Sequence, residues 1–170
     1  EAQTPEERGA KKIQALYYAM IALIDDQLAR IIQRLDETGQ RENTIIIFTS
    51  DHGESLGDHG LLLKGCRFYD GLVRVPLIFN CPGTIESGVR SEAVVELLDM
   101  SATILDFAGV ERPDYFQGDT LRPILSGEAT PDHHRESVRS EYFDALDKAF
   151  CKGNASFATM YRTRRYKLVV

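Results

Sequence analysis

The sequence predicts an α/β fold, and three segments carry this prediction. Residues 11–35 place apolar side chains three and four positions apart, which is the spacing of an amphipathic helix. Residues 44–50 form a largely apolar, β-branched run that is typical of a strand buried on both faces of a sheet. A run at 73–80 predicts a second strand, with Pro76 at its start or on an edge, because proline donates no ladder hydrogen bond.

The elements predicted for the second half of the chain are shorter. We expect a helix at 100–108, with Asp99 as its N-cap and Gly109 at its end. Residues 112–135 are rich in Pro, Gly, Asp and Thr, and predict loops around a short turn at 121–125. Three extended segments follow, and the last two are expected to pair as a hairpin: 137–143, 157–162 and 166–170.

Composition excludes several classes of protein. The chain has 170 residues, the size of one domain, and its 43% hydrophobic and 27% charged residues are ordinary for a globular protein. A net charge of −6 argues against a nucleic-acid partner, because proteins that bind nucleic acids usually carry a basic surface. No apolar run approaches the ~20 residues of a membrane span, so we expect no membrane partner.

The two ends of the chain predict a part of a longer protein. Residues 1–8 are polar and lack the features of a signal peptide. This favours a cytoplasmic location, but the sequence does not decide the compartment. The chain also ends within a strand-like segment at 166–170. A partial chain would expose strand edges, so self-association is expected.

The strongest candidates for functional residues directly follow the predicted strand 44–50. Asp51 and His52 lie at its carboxyl end, where open α/β sheets bind ligands. Neighbours on a strand point to opposite faces, so both reach one metal only if the backbone bends, which Gly53 permits by tolerating positive φ. A carboxylate with an imidazole suits Zn²⁺, Mn²⁺ or Fe better than Ca²⁺. Two ligands do not complete a site, and Asp-His-Gly triplets also occur in loops and caps.

Two nearby residues have both a functional and a structural interpretation. Lys64, thirteen positions after Asp51, could bind an oxyanion as a point charge, or could be a surface lysine whose stem covers apolar atoms. His59 could be a third ligand or a proton donor, or a loop histidine bonded to the backbone.

Other clusters are interpreted as structural or solvated. Asp25-Asp26 could form a paired-carboxylate metal site, but adjacent helical positions do not face one another, so a solvated or hydrogen-bonding role is expected. The run Asp132-His133-His134 lies in a polar loop and is expected to be exposed. The cysteines are odd in number and lack Cys-x-x-Cys spacing, so we expect buried or idle thiols: Cys66, Cys81 and Cys151.

Several short motifs occur in one order along the chain: Ile24-Asp25-Asp26-Gln27-Leu28, Thr49-Ser50-Asp51-His52-Gly53-Glu54, Leu56-Gly57-Asp58-His59-Gly60, Arg74-Val75-Pro76-Leu77-Ile78, Cys81-Pro82-Gly83 and Leu98-Asp99-Met100-Ser101-Ala102-Thr103. From about Lys11 to the last residue, this series resembles the C-terminal portion of the sulfatase family, within the alkaline-phosphatase superfamily. His52 resembles the Asp-His branch, which contains iduronate-2-sulfatase, choline sulfatase and phosphonate monoester hydrolase.

The resemblance implies roles for the candidate residues. Asp51 and His52 would be metal ligands, and Lys64, with His59 as a weaker candidate, would bind the substrate oxygens. The implied metal is Ca²⁺ by family habit, although His52 would also tolerate Mn²⁺ or Zn²⁺. The implied partner is a sulfated small molecule or glycan. A phosphonate or phosphate ester hydrolase of the same superfamily and a non-catalytic binding module remain alternatives.

The nucleophile of the family has no counterpart in this sequence. It is a Cys or Ser in Cys/Ser-x-Pro/Ala-x-Arg that becomes formylglycine, and none of the cysteines has that context. The resemblance therefore implies an N-terminal half outside this chain, and an inactive chain without it. Residues 1–111 would complete the catalytic α/β domain, a sheet sandwiched by helices, and 112–170 would hold loops and the start of a small C-terminal α+β subdomain.

Overall fold

The computed structural model describes residues 7–143 and 157–170, which form a mixed α/β structure. The chain divides into two compact units, Glu1–Pro82 and Gly83–Val170. Cys151 lies outside the described residues. No helix among the residues described is long and apolar enough to cross a membrane.

The first unit begins with the helix α1, Glu7–Glu37, which confirms the predicted helix and extends it at both ends. It ends in a Schellman motif, in which the Gln40 N–H donates to the Leu35 carbonyl (2.9 Å) and the Gly39 N–H to the Asp36 carbonyl (3.1 Å). Gly39 adopts φ +66°, a left-handed conformation that glycine reaches without a Cβ clash.

Much of the apolar surface of α1 is uncovered within this unit. Half-buried Leu28, Ile32 and Leu35 mark the side that packs. Tyr17 is also half-buried, but many of the other apolar side chains along the helix are exposed, among them Leu16, Met20, Leu23, Ile24 and Ile31. The spacing that predicted the helix therefore marks a packing surface that the described part of the unit does not fill.

Both predicted strands of the first unit are present but shorter than expected. Strand β1, Ile46–Thr49, pairs antiparallel with β2, Leu77–Asn80. Val73, predicted as strand, instead ends the one-turn helix α2, Asp70–Val73, and Pro76 directly precedes β2. The prediction of a strand buried on both faces is wrong for this unit: Phe48, on the two-stranded ribbon, is 37% exposed, so the described part of the unit does not fully cover the face that carries it.

The second unit combines two helices with a three-stranded sheet. Helix α3, Leu97–Phe107, is followed by the single turn α4, Arg122–Leu125, where a short turn was predicted. The antiparallel sheet has the order β3-β4-β5 and confirms the three predicted extended segments and the hairpin: Ser137–Phe143, Phe157–Thr163 and Lys167–Val169.

The prediction that Asp99 caps α3 is wrong, because Glu96 is the N-cap and the helix starts at Leu97. Asp99 is the third helical residue, and it closes a capping box by accepting the Glu96 backbone N–H at 2.8 Å. The C-terminus follows expectation, since Gly109 adopts φ +66° and the Val110 N–H donates to the Leu105 carbonyl at 2.9 Å.

The fully buried carboxylate of Asp99 organises this unit. It accepts the Asp119 backbone N–H (2.9 Å) and a hydrogen bond from Arg135, and His134 Nε2 lies 3.3 Å away. The expectation of an exposed His134 is therefore wrong, since its side chain is 9% exposed, whereas His133 is exposed as predicted. A buried carboxylate requires hydrogen-bond donors, and the Asp119 N–H and Arg135 supply them here.

Candidate metal centre

Asp51 and His52 lie immediately beyond β1, where the chain bends. The Ser50 hydroxyl donates to the His52 carbonyl (2.8 Å), and the His52 N–H donates to Asp51 Oδ1 (2.9 Å). As a result Asp51 Oδ2 and His52 Nε2 lie 3.6 Å apart. The two neighbouring side chains thus converge because the strand has ended, which is the condition that the sequence analysis set for both to reach one ion.

Gly53 fixes this bend by allowing a close backbone approach. Its N–H donates to the Leu72 carbonyl at 2.8 Å, and a Cβ atom built on it would lie 1.8 Å from the Gly71 carbonyl oxygen. Gly53 does not adopt positive φ, so the predicted reason for this glycine is corrected. What the position requires is the absence of a side chain, which lets the Asp51–His52 bend pack on α2.

The imidazole of His52 is oriented by both of its nitrogens. Nδ1 lies 2.9 Å from the Gly53 carbonyl oxygen, an atom that can only accept, so Nδ1 carries the proton. Nε2 then presents its lone pair, and Lys64 Nζ donates to it at 2.6 Å. A ring nitrogen tied to a backbone carbonyl is the arrangement that orients metal-binding histidines in proteins.

The loop that delivers Lys64 is a compact, strained hairpin. The Ser55 N–H donates to the Leu63 carbonyl (3.2 Å) and the Gly57 N–H to the Leu61 carbonyl (2.7 Å). Three residues of the loop other than glycine adopt left-handed φ between +50° and +62°: Leu56, His59 and Leu63. Such conformations cost about 1 kcal/mol or more each and are frequent where a loop must hold functional groups.

His59 does not lie where a third metal ligand would have to lie. Its ring stacks on Tyr69, with centroids 4.0 Å apart and planes 19° from parallel. In the described ranges no three His, Cys, Asp or Glu side chains come together as a metal-binding group. The structure therefore does not bring His59 to Asp51 and His52, and sequence reasoning missed Tyr69 as its neighbour.

The donor set fits one side of a divalent metal site. The backbone N–H of His52 holds the pKa of the Asp51 carboxyl below its ordinary value, so the carboxylate stays charged. Asp51 is 84% exposed and His52 41% exposed, so both side chains are accessible from solvent. Ligand distances of about 2.0–2.4 Å place two donors on one ion about 3–3.5 Å apart, close to the separation observed.

A carboxylate, an imidazole and an ammonium thus lie close together beyond a strand end of a mixed α/β structure. The sulfatase family profile matches residues 1–110, and the profile of the N-sulphoglucosamine sulphohydrolase C-terminal region matches 57–170. The chain belongs to the sulfatase family of the alkaline-phosphatase superfamily and corresponds to its C-terminal region.

Individual relatives agree with this assignment. An N-acetylglucosamine-6-O-sulfatase of Bacteroides thetaiotaomicron is 39% identical over 155 residues, which is 90% of this chain and 27% of the relative. A phosphonate monoester hydrolase structure from Silicibacter pomeroyi superposes with a TM-score of 0.86 at 34% identity, covering 99% of this chain and 34% of that one.

A second similar structure contains a bound substrate. It is described as a complex with its substrate D-glucosamine-2-N,6-O-disulfate, and has a TM-score of 0.77 at 32% identity, covering 90% of this chain and 30% of that one. The chain thus spans about a quarter to a third of the length of the proteins it matches.

Proposed function

We propose that this chain supplies one side of the metal centre, and the oxyanion-binding lysine, of a sulfatase-type hydrolase that cleaves sulfate esters. The observation that carries this proposal is the convergence of three groups: Asp51 Oδ2 and Lys64 Nζ lie 3.6 Å and 2.6 Å from His52 Nε2. Family membership supports the reaction class, since the related proteins include an N-acetylglucosamine-6-O-sulfatase.

Each of the three residues has a distinct role in this proposal. Asp51 and His52 hold a divalent ion, Ca²⁺ by family habit, with Mn²⁺ or Zn²⁺ suited to the imidazole. The ion, when bound, polarises the ester and neutralises developing charge. Lys64 holds a peripheral oxygen of the sulfate, with a charge that matters most in the transition state. His59 is the weaker candidate for substrate contact.

The nucleophile lies outside these 170 residues in this proposal. Formylglycine and the remaining metal ligands belong to an N-terminal half of the catalytic domain, so the chain by itself is inactive. Residues 1–111 complete that domain, a sheet sandwiched by helices, and 112–170 begin a small C-terminal α+β subdomain. The uncovered apolar surface of α1 supports self-association of the chain when it is isolated.

Elemental analysis of the full-length protein tests the metal-binding part of the proposal. We expect a bound divalent metal whose content falls in Asp51→Ala and in His52→Ala. The matched control is Asp25→Ala, which removes an exposed carboxylate of α1 and should leave metal content unchanged. Equal metal content in all four proteins would remove the proposed role of Asp51 and His52.

A phosphonate or phosphate ester hydrolase is the second candidate, and the 0.86 TM-score to a phosphonate monoester hydrolase favours it specifically. Turnover of paired aryl sulfate and aryl phosphonate substrates by the full-length protein separates the two candidates. Preference for the sulfate supports the first proposal, and preference for the phosphonate supports the second. No turnover of either ester, with the fold intact, would favour a non-catalytic binding module.

A further inference from the structure

The contact between Lys64 and His52 occupies the atom that a metal would need. Nδ1 of His52 is committed as a donor to the Gly53 carbonyl, so the ring has one lone pair left, on Nε2. The ammonium of Lys64 lies 2.6 Å from that atom and offers only protons. One lone pair serves one partner, so the ammonium and a metal ion exclude each other at Nε2.

We infer that Lys64 and the divalent cation compete for Nε2 of His52, so that Lys64 must leave His52 before the cation is held there. This inference rests on the proposed function, from which it takes the cation and the oxyanion. Once displaced, Lys64 becomes the free cation that binds the oxyanion. The lysine is thereby delivered to the substrate only when the metal position is filled.

The surroundings of Lys64 favour such an exchange. Its side chain is exposed and has a flexible four-carbon stem, so the ammonium moves without any change in the hairpin that carries it. Asp51 Oδ2 lies 3.6 Å from the same Nε2 and attracts either cation. A cation that replaces the ammonium at Nε2 would therefore lie close to this carboxylate.

Competition predicts a specific thermodynamic coupling between Lys64 and His52. Removal of the ammonium should tighten cation binding, since the cation no longer displaces a bound partner. Couplings of this kind are commonly about 5- to 150-fold. General repulsion between Lys64 and the cation would also tighten binding, but it would act whether or not His52 is present. A double-mutant cycle separates the two effects.

The experiment is calorimetric titration of Mn²⁺ into chelator-treated full-length protein at fixed pH and ionic strength. The proteins are the wild type, Lys64→Met, His52→Ala and the double variant, with Lys12→Met as an exposed-lysine control. We expect Lys64→Met to lower the Mn²⁺ Kd about tenfold when His52 is present. It should leave the Kd unchanged in the His52→Ala background, and Lys12→Met should leave it unchanged throughout.

Equal tightening in both backgrounds, or none in either, overturns the competition while leaving the metal site of the proposed function intact. Loss of Mn²⁺ binding in every protein overturns both. Thermal melting verifies that each variant is folded, and Lys64→Gln replaces Lys64→Met if the apolar side chain impairs folding. The readout is metal affinity, so the result does not depend on which ester the enzyme cleaves.

Discussion

Gly53 and Gly71 approach so closely that a side chain on the first would meet the backbone of the second. A Cβ atom on Gly53 would lie 1.8 Å from the Gly71 carbonyl oxygen, well inside van der Waals contact. This approach links the Asp51–His52 bend to α2, because the Gly53 N–H also donates to Leu72. The geometry of the proposed metal centre therefore depends on a residue that carries no chemistry.

Gly53→Ala should destabilise the protein and displace the metal ligands. Overpacking of this kind costs about 1–3 kcal/mol, and relieving it requires the bend or α2 to move. Thermal unfolding and metal content of the full-length protein measure the two effects. Gly9→Ala is the matched control, because a Cβ there meets nothing within 4 Å and alanine favours the helix. A Gly53→Ala protein with the stability and metal content of the wild type would refute this role.

Asp99→Ala should be among the most destabilising substitutions in the second unit. The buried carboxylate accepts backbone N–H groups from Glu96 and Asp119 and is paired with Arg135. Removing the carboxylate leaves these two part-buried N–H groups without their acceptor, at about 1–3 kcal/mol each, while Arg135 keeps its ion pair with Glu96. Denaturant unfolding of the full-length protein, compared with the exposed-site control Asp114→Ala, measures the difference. Similar losses in the two variants would contradict the organising role of Asp99.

Asp106 should contribute to the loss of stability in acid. The Thr120 hydroxyl, which donates at 2.7 Å, and then Arg122 hold the pKa of its carboxyl below the ordinary value. A depressed pKa means that the folded state favours the carboxylate. This stabilisation is present above the unfolded-state pKa of about 3.9 and is lost as pH falls through the lower folded value.

The measurement for Asp106 is Tm as a function of pH for the wild type and Asp106→Asn. The variant should have the lower Tm at neutral pH, and the gap should narrow as pH falls below about 4. Asp114→Asn, at an exposed position, should follow the wild type at every pH. A gap that stays constant through the acid range would show that the carboxylate charge is not the cause.

Short-range sequence patterns predicted the elements that are specified by residues close together in the chain. The apolar spacing of residues 11–35 and the glycines that follow the two long helices identified α1 and the end of α3. The start of α3 was missed because Glu96 takes the N-cap position, which usually belongs to Ser, Thr, Asp or Asn. His134 is buried beside Asp99, a residue distant in sequence, and loop composition alone does not carry that information.

The candidate site was predicted only in part, because some of its contacts are local in sequence and others are not. The end of β1 and the adjacent Asp51 and His52 are visible in the sequence, and so is their convergence if the backbone bends. The contact of Lys64 with His52 is not, because it depends on a hairpin with three left-handed residues other than glycine. Steric preference argues against that conformation at each of those positions, so only long-range packing selects it.

The most direct test of the central claim is the kcat/KM of Lys64→Ala for an aryl sulfate, measured in the full-length, metal-loaded enzyme. If Lys64 holds a sulfate oxygen in the transition state, kcat/KM should fall by about 10²–10³, whereas the exposed control Lys12→Ala should match the wild type. Thermal melting and metal content establish that the variants are intact. Turnover by Lys64→Ala equal to that of the wild type would contradict the account.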